Sequence, residues 1–505
     1  MFSGEPGTAS PQLMCYNRPM AEMEDKNRKN TNKQDKPNQN KQDRRIYTLS
    51  SEKPARAVVK MGTPLIAGMM IMVLYNLTDT FFIGLLRDDY QLAAVNLAYP
   101  VMMITIALSN MVGTGASTLI ARSLGAGETD KARQTMMNGI LLTAATGILL
   151  TIAGLILLDP IIHGLGAKEH TSLYTSQYVG ILLLGTICTM GNYTFGQLLR
   201  GEGSVKYSML GMVCGTILNI GLDPVFIFAA GLEVRGAAIA TILSNGIGML
   251  LSLWVYASGR AVLRPSKKHM RPNTAIIREI YRVGIPAALE TLLTSAAYIV
   301  CNNLAVAYGE RTVAAMGIAQ KILSLGNYVY QGFAAGVQPI MGYSFGAKNY
   351  RRMLDVLRAG ILIVSGTELV IMAICGIFAP GLVGLFTGSD EVIGTGSQAL
   401  RALMCILPFV GATSMCRMSL QAMGKPMTAL GITLARQLVL YIPLLFFMDH
   451  TFGFNGLIWA QPITEVIMMA ASVSLLVRII RSMQRLEKRE NKKKGIEANE
   501  SRYDL

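Results

Sequence analysis

Five carboxylic acids stand inside stretches that are otherwise apolar: Asp79, Asp223, Glu290, Glu368 and Glu465. Asp79 closes the string Tyr75-Asn-Leu-Thr-Asp79. Asp223 closes Asn219-Ile-Gly-Leu-Asp223 and is followed by Pro224. Asn219 and Asp223 are four residues apart, so on a helix they share one face. Pro224 has no backbone N–H, which frees a carbonyl in the preceding turn as a further oxygen ligand. Carboxylate, amide and carbonyl oxygens in one place suit a proton or a hard cation such as Na⁺. The spacing brings no two of Glu290, Glu368 and Glu465 together. Lys321 and Arg436 are cations they could pair with, and the sequence does not choose among these pairings.

Such acids have a meaning only once their surroundings are known. Of 505 residues, 51% are hydrophobic and 15% are charged; a soluble domain carries nearer a quarter charged. Twelve segments approach the ~20 mostly apolar residues that a membrane span requires. They lie near 57–86, 91–121, 135–158, 172–199, 206–230, 236–258, 280–308, 313–345, 356–379, 396–422, 427–449 and 455–480. An acid at the middle of such a span costs about 2.5–3.5 kcal/mol on insertion scales, so each of the five is a candidate for function.

The net charge of +15 does not point to nucleic acid, because the positive residues gather in the tails and in alternate loops. Arg122, Lys131 and Arg133 follow the second segment, Arg200 and Lys206 the fourth, and Arg260 to Arg271 the sixth. Lys348, Arg351 and Arg352 follow the eighth, and Lys425 the tenth. This bias sets both termini and the basic loops in the cytoplasm. Residues 24–45 are mostly Lys, Arg, Asn, Gln and Asp. They cannot bury enough apolar surface to offset their ordering entropy, so residues 1–54 are expected to be a disordered basic tail. No secretory leader is expected in it. The seven cysteines form no CxxC pair and suggest neither a disulfide frame nor a zinc site.

The chain repeats itself at an offset of about 221 residues. Gly62-Thr-Pro64 matches Gly284-Ile-Pro286, Gly125-Ala126 matches Gly346-Ala347, and Gly203 matches Gly424. The expected architecture is therefore all-α and polytopic, with twelve transmembrane helices in two six-helix bundles. The bundles span 55–260 and 278–482, with a cytoplasmic linker at 261–277 and a tail at 483–505. An even span count per repeat gives both halves one orientation, related by a pseudo-twofold axis along the membrane normal. Rocking of one bundle against the other would expose the cleft between them to alternate sides. The repeat also serves as a control. Asp79, Asn219 and Asp223 face Cys301, Leu440 and Leu444 at the same offsets, so the first half carries a polar cluster that the scaffold does not require.

These features together resemble the multidrug and toxic compound extrusion family, within the larger group that includes polysaccharide and lipid flippases. The resemblance covers about residues 55–480. It rests on the duplicated plan, on Pro64 with Asp79 fifteen residues on, on Gln197-Leu-Leu-Arg-Gly201 leading to Asp223-Pro224, and on Gln338-Pro339. The chain is similar to the prokaryotic branch of DNA-damage-inducible members, whose spans one, five and six carry an Asp, an Asn-x-x-x-Asp and a Thr. Asp79, Asn219, Asp223 and Thr241 occupy those positions, and Pro64 that of the proline at which the branch's first helix bends. The resemblance implies a cation-coupling site at these four residues. Their side chains offer six oxygens, and two carboxylates close together in low dielectric do not both ionise easily, so one would hold a proton. H⁺ and Na⁺ both remain open.

The other prokaryotic branch places a Glu in span seven and an Asp in span ten. Here Thr294 stands at the first position and span ten has no acid. Glu290, one turn away, is the candidate for a polar site in the second bundle.

The function expected is secondary active multidrug efflux at the cell inner membrane. Amphipathic, often cationic drugs and toxins would leave in exchange for H⁺ or Na⁺, carried by a monomer with no cofactor and no metal beyond Na⁺ at the coupling site. The alternative is a flippase for a lipid-linked saccharide, which would call for a strongly basic cleft. An enzyme is not expected, since His163, His170, His269 and His450 all fall in or beside loops. ATP-driven transport would need a P-loop that the sequence lacks.

Overall fold

The computed structural model describes residues 44–86 and 88–500. Some side chains within that range, including those at 73–77, 79–81 and 488–500, fall outside the described residues. Every regular element among the described residues is helical. The first half consists of α1 (Pro54–Gly84), α2 (Asp89–Gly125), α3 (Thr129–Ile156), the short α4 (Leu158–Gly164), α5 (Glu169–Leu184), α6 (Thr186–Gly201), α7 (Val205–Pro224) and α8 (Glu233–Ala257). The second half repeats them as α9 (Thr274–Val306), α10 (Glu310–Gly346), α11 (Tyr350–Ile377), α12 (Ala379–Gly384), α13 (Asp390–Met404), α14 (Leu407–Ala422), α15 (Pro426–Leu434), α16 (Ile442–Phe452) and α17 (Phe454–Glu500).

Among the described residues, nine helices or helix runs are long and apolar enough to cross a membrane. Two bent pairs, α5 with α6 and α13 with α14, bring the total to eleven. The twelfth rod is α10. It matches α2 in length, at 37 residues each, but carries Gln320, Lys321, Asn327, Gln331 and Gln338 along its course. Polarity on that helix is intelligible from its place, because it packs against both α1 and α2 of the other lobe.

Local chemistry starts and stops these rods. Asp88 caps α2 by accepting from the Tyr90 N–H, Asn273 caps α9 by accepting from Ala275 and Ile276, and Asn349 caps α11 by accepting from Arg352. Such side chains satisfy donors that the first helical turn leaves unpaired. Pro64 sits inside the continuous helix α1, where it withholds one hydrogen bond from the preceding turn.

The two lobes meet through pairs of contacts that the repeat exchanges. A Cβ added to Gly125 would collide with the Tyr343 carbonyl, and one added to Gly346 would collide with the Arg122 carbonyl. The two glycines are 221 apart, and so are the two carbonyls. Likewise Gly62 abuts Phe333 and Gly284 abuts Met111, with both spacings 222. Exchange of partners at a constant offset is the signature of a pseudo-twofold axis. All these contacts lie in the halves of α1, α2, α9 and α10 nearest the basic loops, so the lobes are joined at the basic end. An ion pair between Arg122 and Glu279, 3.0 Å, reinforces the junction.

At the same end, residues 45–52 form a strap between the lobes. Arg45 donates to the Ser204 hydroxyl and to the Arg260 carbonyl on one side. On the other, Arg352 donates to the carbonyls of Thr48, Leu49 and Glu52. Leu49 is fully buried in a core shared with Val205 and with Met353, Val356 and Leu357 of α11. This corrects the expectation of disorder up to residue 54: residues 45–50 are helical and fixed by an arginine from the distant half of the chain. The rest of the expected tail, residues 1–43, lies outside the described residues.

The linker is likewise tied down. Glu202 accepts from the backbone N–H groups of Val262 and Leu263, and its burial pushes the carboxyl up to about 7. At the other terminus, α17 runs on to Glu500, beyond the expected span end at 480.

Candidate functional site in the first lobe

Helix α7 places Asn219 and Asp223 on one face, as their spacing requires. The Asn219 Nδ2 donates to Asp223 Oδ1 at 3.3 Å and to Thr241 Oγ1 at 3.5 Å, which brings in α8. All three are buried, Asp223 completely. Behind them the polar chain continues: Asn245 donates to the Thr241 carbonyl at 2.9 Å, and Asn192 of α6 donates to Asn245 Oδ1 at 3.0 Å. Burying four amide and hydroxyl side chains together is costly unless they satisfy one another. Here they form one chain of hydrogen bonds that ends at the Asp223 carboxyl.

Pro224 has a visible consequence. It ends the α-helical ladder, the Val225 N–H turns back to the Leu222 carbonyl, and the chain continues as a π-helix, Val225–Ala229. Asp223 thus stands at a break in regular backbone. Single π-turns of this kind recur at functional sites. Gly236 allows α8 to approach this break closely, since a Cβ there would strike the backbone at Phe226 and Ile227.

The fit to a cation can be judged from the donors. Asn219 Oδ1 is buried and has no hydrogen-bond partner among the described residues. It is an acceptor placed beside a carboxyl and a hydroxyl, as a proton donor or Na⁺ would need. No group of three or more His, Cys, Asp and Glu suited to a metal occurs among the described residues. Asp79 belongs to α1, but its side chain lies outside the described residues. The sequence-predicted set is therefore brought together at three of its four members.

The second lobe differs at the corresponding place. Gly456 abuts the Met448 carbonyl as Gly236 abuts that of Phe226, so Phe226 and Met448 are equivalent, 222 apart. Val205 and Pro426, which open α7 and α15, are 221 apart. One extra residue is absorbed between them, in the π-helical run Ala435–Tyr441. The expected pairing of Asn219 and Asp223 with Leu440 and Leu444 is corrected by that one residue. Their counterparts are Tyr441 and Leu445, both buried. The control survives the correction, because Leu445 has no acid function.

Charge in the second lobe is arranged elsewhere. Arg417 of α14 pairs with Glu290 of α9 at 2.6 Å, and Gln421, one turn on, donates to the same oxygen at 2.8 Å. Gln338 of α10 then donates to Gln421 Oε1 at 3.3 Å. Arg436, in the π-helical run, pairs with Glu465 of α17 at 3.1 Å. The candidate polar site at Glu290 is thus an ion pair with an amide beside it. Lys321 is exposed and forms no ion pair among the described residues. Sequence reasoning missed Arg417 because it searched span ten for an acid. The i, i+4 spacing of Arg417 and Gln421 on an apolar helix was the available signal.

Comparison with known proteins fits this geometry. The MatE family profile matches residues 64–225 and again 286–447, one match per lobe, beginning at Pro64 and Pro286. The chain belongs to the multidrug and toxic compound extrusion family. Among curated relatives, the multidrug export protein MepA of Staphylococcus aureus strain MRSA252 is 30% identical over 443 residues, 87% of this chain and 97% of that protein. MepA of Staphylococcus saprophyticus is 28% identical over 452 residues, 89% and 99% of the two chains. Among solved structures, a MATE transporter in complex with MaL6 superposes with a TM-score of 0.84 at 30% identity, covering 87% of this chain and 99% of that one. An outward-facing multidrug resistance MATE transporter of the MOP superfamily gives the same TM-score and identity, covering 87% and 98%. This MATE chain is accordingly a multidrug efflux transporter of the membrane.

Proposed function

We propose that this MATE protein is a secondary antiporter. It expels amphipathic, often cationic organic compounds in exchange for H⁺ or Na⁺ taken up at Asp223, Asn219 and Thr241, with Asp79 as the fourth member. The observation that carries this reading is the fully buried Asp223, set by Asn219 and Thr241 at a break in α7. Its counterpart in an otherwise matching lobe is Leu445. An inward-moving cation bound there and an outward-moving drug would favour different arrangements of the lobes, and that difference is what coupling requires. The joint at the basic end supports alternating access: with the basic loops cytoplasmic, this arrangement has its cytoplasmic side closed. We read the protein as a monomer in the cell membrane with both termini in the cytoplasm.

The test is efflux of ethidium from proteoliposomes under an imposed pH gradient and, separately, an imposed Na⁺ gradient. Acceleration by one of the two names the coupling ion. A rate indifferent to both removes the antiport reading.

A further inference from the structure

The three acids of the second lobe that the sequence left scattered lie in one buried network. Glu290, Glu368 and Glu465 are each almost wholly inaccessible. They share their interior with two guanidiniums, Arg417 and Arg436, and each guanidinium is paired: Arg417 with Glu290 and Arg436 with Glu465. Glu368, on α11, is left over. Neither of its oxygens has a hydrogen-bond partner among the described residues. The Tyr330 backbone N–H lies beside it without reaching hydrogen-bond geometry.

A buried carboxylate with no cation and no side-chain donor, as Glu368 is among the described residues, is among the costliest groups a fold can hold. It gains most by taking a proton. Its neighbours are fixed by the packing: Val364, one turn earlier on α11, and Tyr330 of α10 both meet α14 at Gly411. Tyr330 lies within electrostatic reach of Glu368, Glu465, Arg417 and Arg436 together, so it links the lone acid to the paired ones. It also sits two residues from Gly332, which abuts Ile66 of α1, and three from Phe333, which abuts Gly62. A rearrangement of the lobe junction is therefore felt directly at the residue beside Glu368.

We propose that Glu368 is a proton-binding carboxyl of the second lobe, separate from the cation site in the first. In one arrangement of the lobes it takes a proton from water. In the other it returns that proton, with Tyr330 and the two ion pairs setting the balance. This rests on the antiport reading for its place in the cycle, but it assigns a different residue in a different lobe.

The test measures proton release when tetraphenylphosphonium binds to purified protein in weakly buffered detergent solution with a pH dye. Glu368→Gln is expected to bind the probe and to lose roughly half of the wild-type release, a linkage between ligand and proton binding. Asp223→Asn should retain the Glu368 share, and the double variant should release none. Release from Glu368→Gln equal to wild type, or complete loss in Asp223→Asn alone, overturns the proposal. Full release in Asp223→Asn with loss in Glu368→Gln would instead remove the first-lobe reading and keep this one. Because the carboxyl has no cation or side-chain partner among the described residues, Glu368→Gln and the apolar Glu368→Met should melt no lower than wild type. A lowered melting temperature in both would mean that the carboxylate is paired, which also overturns the proposal.

Discussion

The two lobes share one scaffold and use buried charge in opposite ways. In the first, Asn219 and Thr241, both neutral, are gathered around Asp223 at a broken helix. In the second, the equivalent positions are Tyr441 and Leu445, and two carboxylates are answered by arginines instead. An acid neutralised by an arginine has little to gain from a cation. One held by a neutral amide, with a hydroxyl beyond it, gains a great deal. This contrast supports the proposed cation site in the lobe with fewer fixed charges, and a framework role for the Glu290 and Glu465 pairs of the other, apart from the lone Glu368.

The largest expected effect breaks that framework. Arg417→Met leaves Glu290 buried without its partner, and losing one member of a buried pair typically costs about 3–5 kcal/mol. Little folded protein should be recovered, as measured by membrane abundance and melting temperature. Adding Glu290→Gln should restore most of it, because Gln421 still offers its amide. A single variant as stable as wild type would show that the pair is not structural.

Next comes the junction between the lobes. Gly346→Val places side-chain atoms against the Arg122 carbonyl, where backbone approaches backbone. The added atoms oppose closure of the lobes at the basic end. Efflux should fall by roughly tenfold or more, the scale of ~1.4 kcal/mol against closure, while abundance is retained. Gly125→Val, its partner across the pseudo-twofold axis, should match it, and a large difference between the two would contradict the symmetry.

A smaller effect is expected at the strap. Arg352→Ala removes three hydrogen bonds to the carbonyls of Thr48, Leu49 and Glu52. These bonds are partly exposed, so the loss should be about 1–2 kcal/mol, seen as a modestly lowered melting temperature. Removal of residues 1–43 should leave efflux within about twofold of wild type. Removal through Glu52 should lower the melting temperature further than Arg352→Ala, because the buried Leu49 and the Arg45 bonds are lost as well. If the short deletion abolishes efflux at normal abundance, the segment has a role of its own.

The smallest effect is expected for Asp449→Asn. Asp449 accepts from the Tyr308 hydroxyl at 2.6 Å, and an amide oxygen can accept the same bond. Efflux rates should be unchanged within about twofold.

What the sequence made legible follows from periodicity and spacing. The duplicated helical plan was readable because apolar length and the offset of glycines and prolines are properties of the chain itself. The Asn219–Asp223 face was readable because i, i+4 spacing has one geometric meaning on a helix. Thr241 came from family likeness, since nothing local ties it to a residue 18 positions away. The second-lobe network was not readable: Glu290 and Arg417 are joined only when α9 and α14 pack. The one-residue shift at Tyr441 and Leu445 also escaped, because a π-helical turn absorbs an extra residue without altering composition. The strap was hidden for a similar reason, since a polar segment looks disordered until an arginine 300 residues away supplies its partners.

The central claim, that the coupling cation is taken at Asp223 in the first lobe, has one direct test. Asp223→Asn keeps the shape and the hydrogen bond from Asn219 but removes the titratable group. Ethidium efflux from proteoliposomes should be measured under the gradient that drives wild type and again with no gradient. The variant is expected to insert normally, to move drug down its own concentration difference, and to lose the acceleration that Asp223 supplies, keeping at most the share carried by Glu368. Wild-type acceleration in Asp223→Asn, with its loss in Glu290→Gln instead, would place coupling in the second lobe and contradict the account.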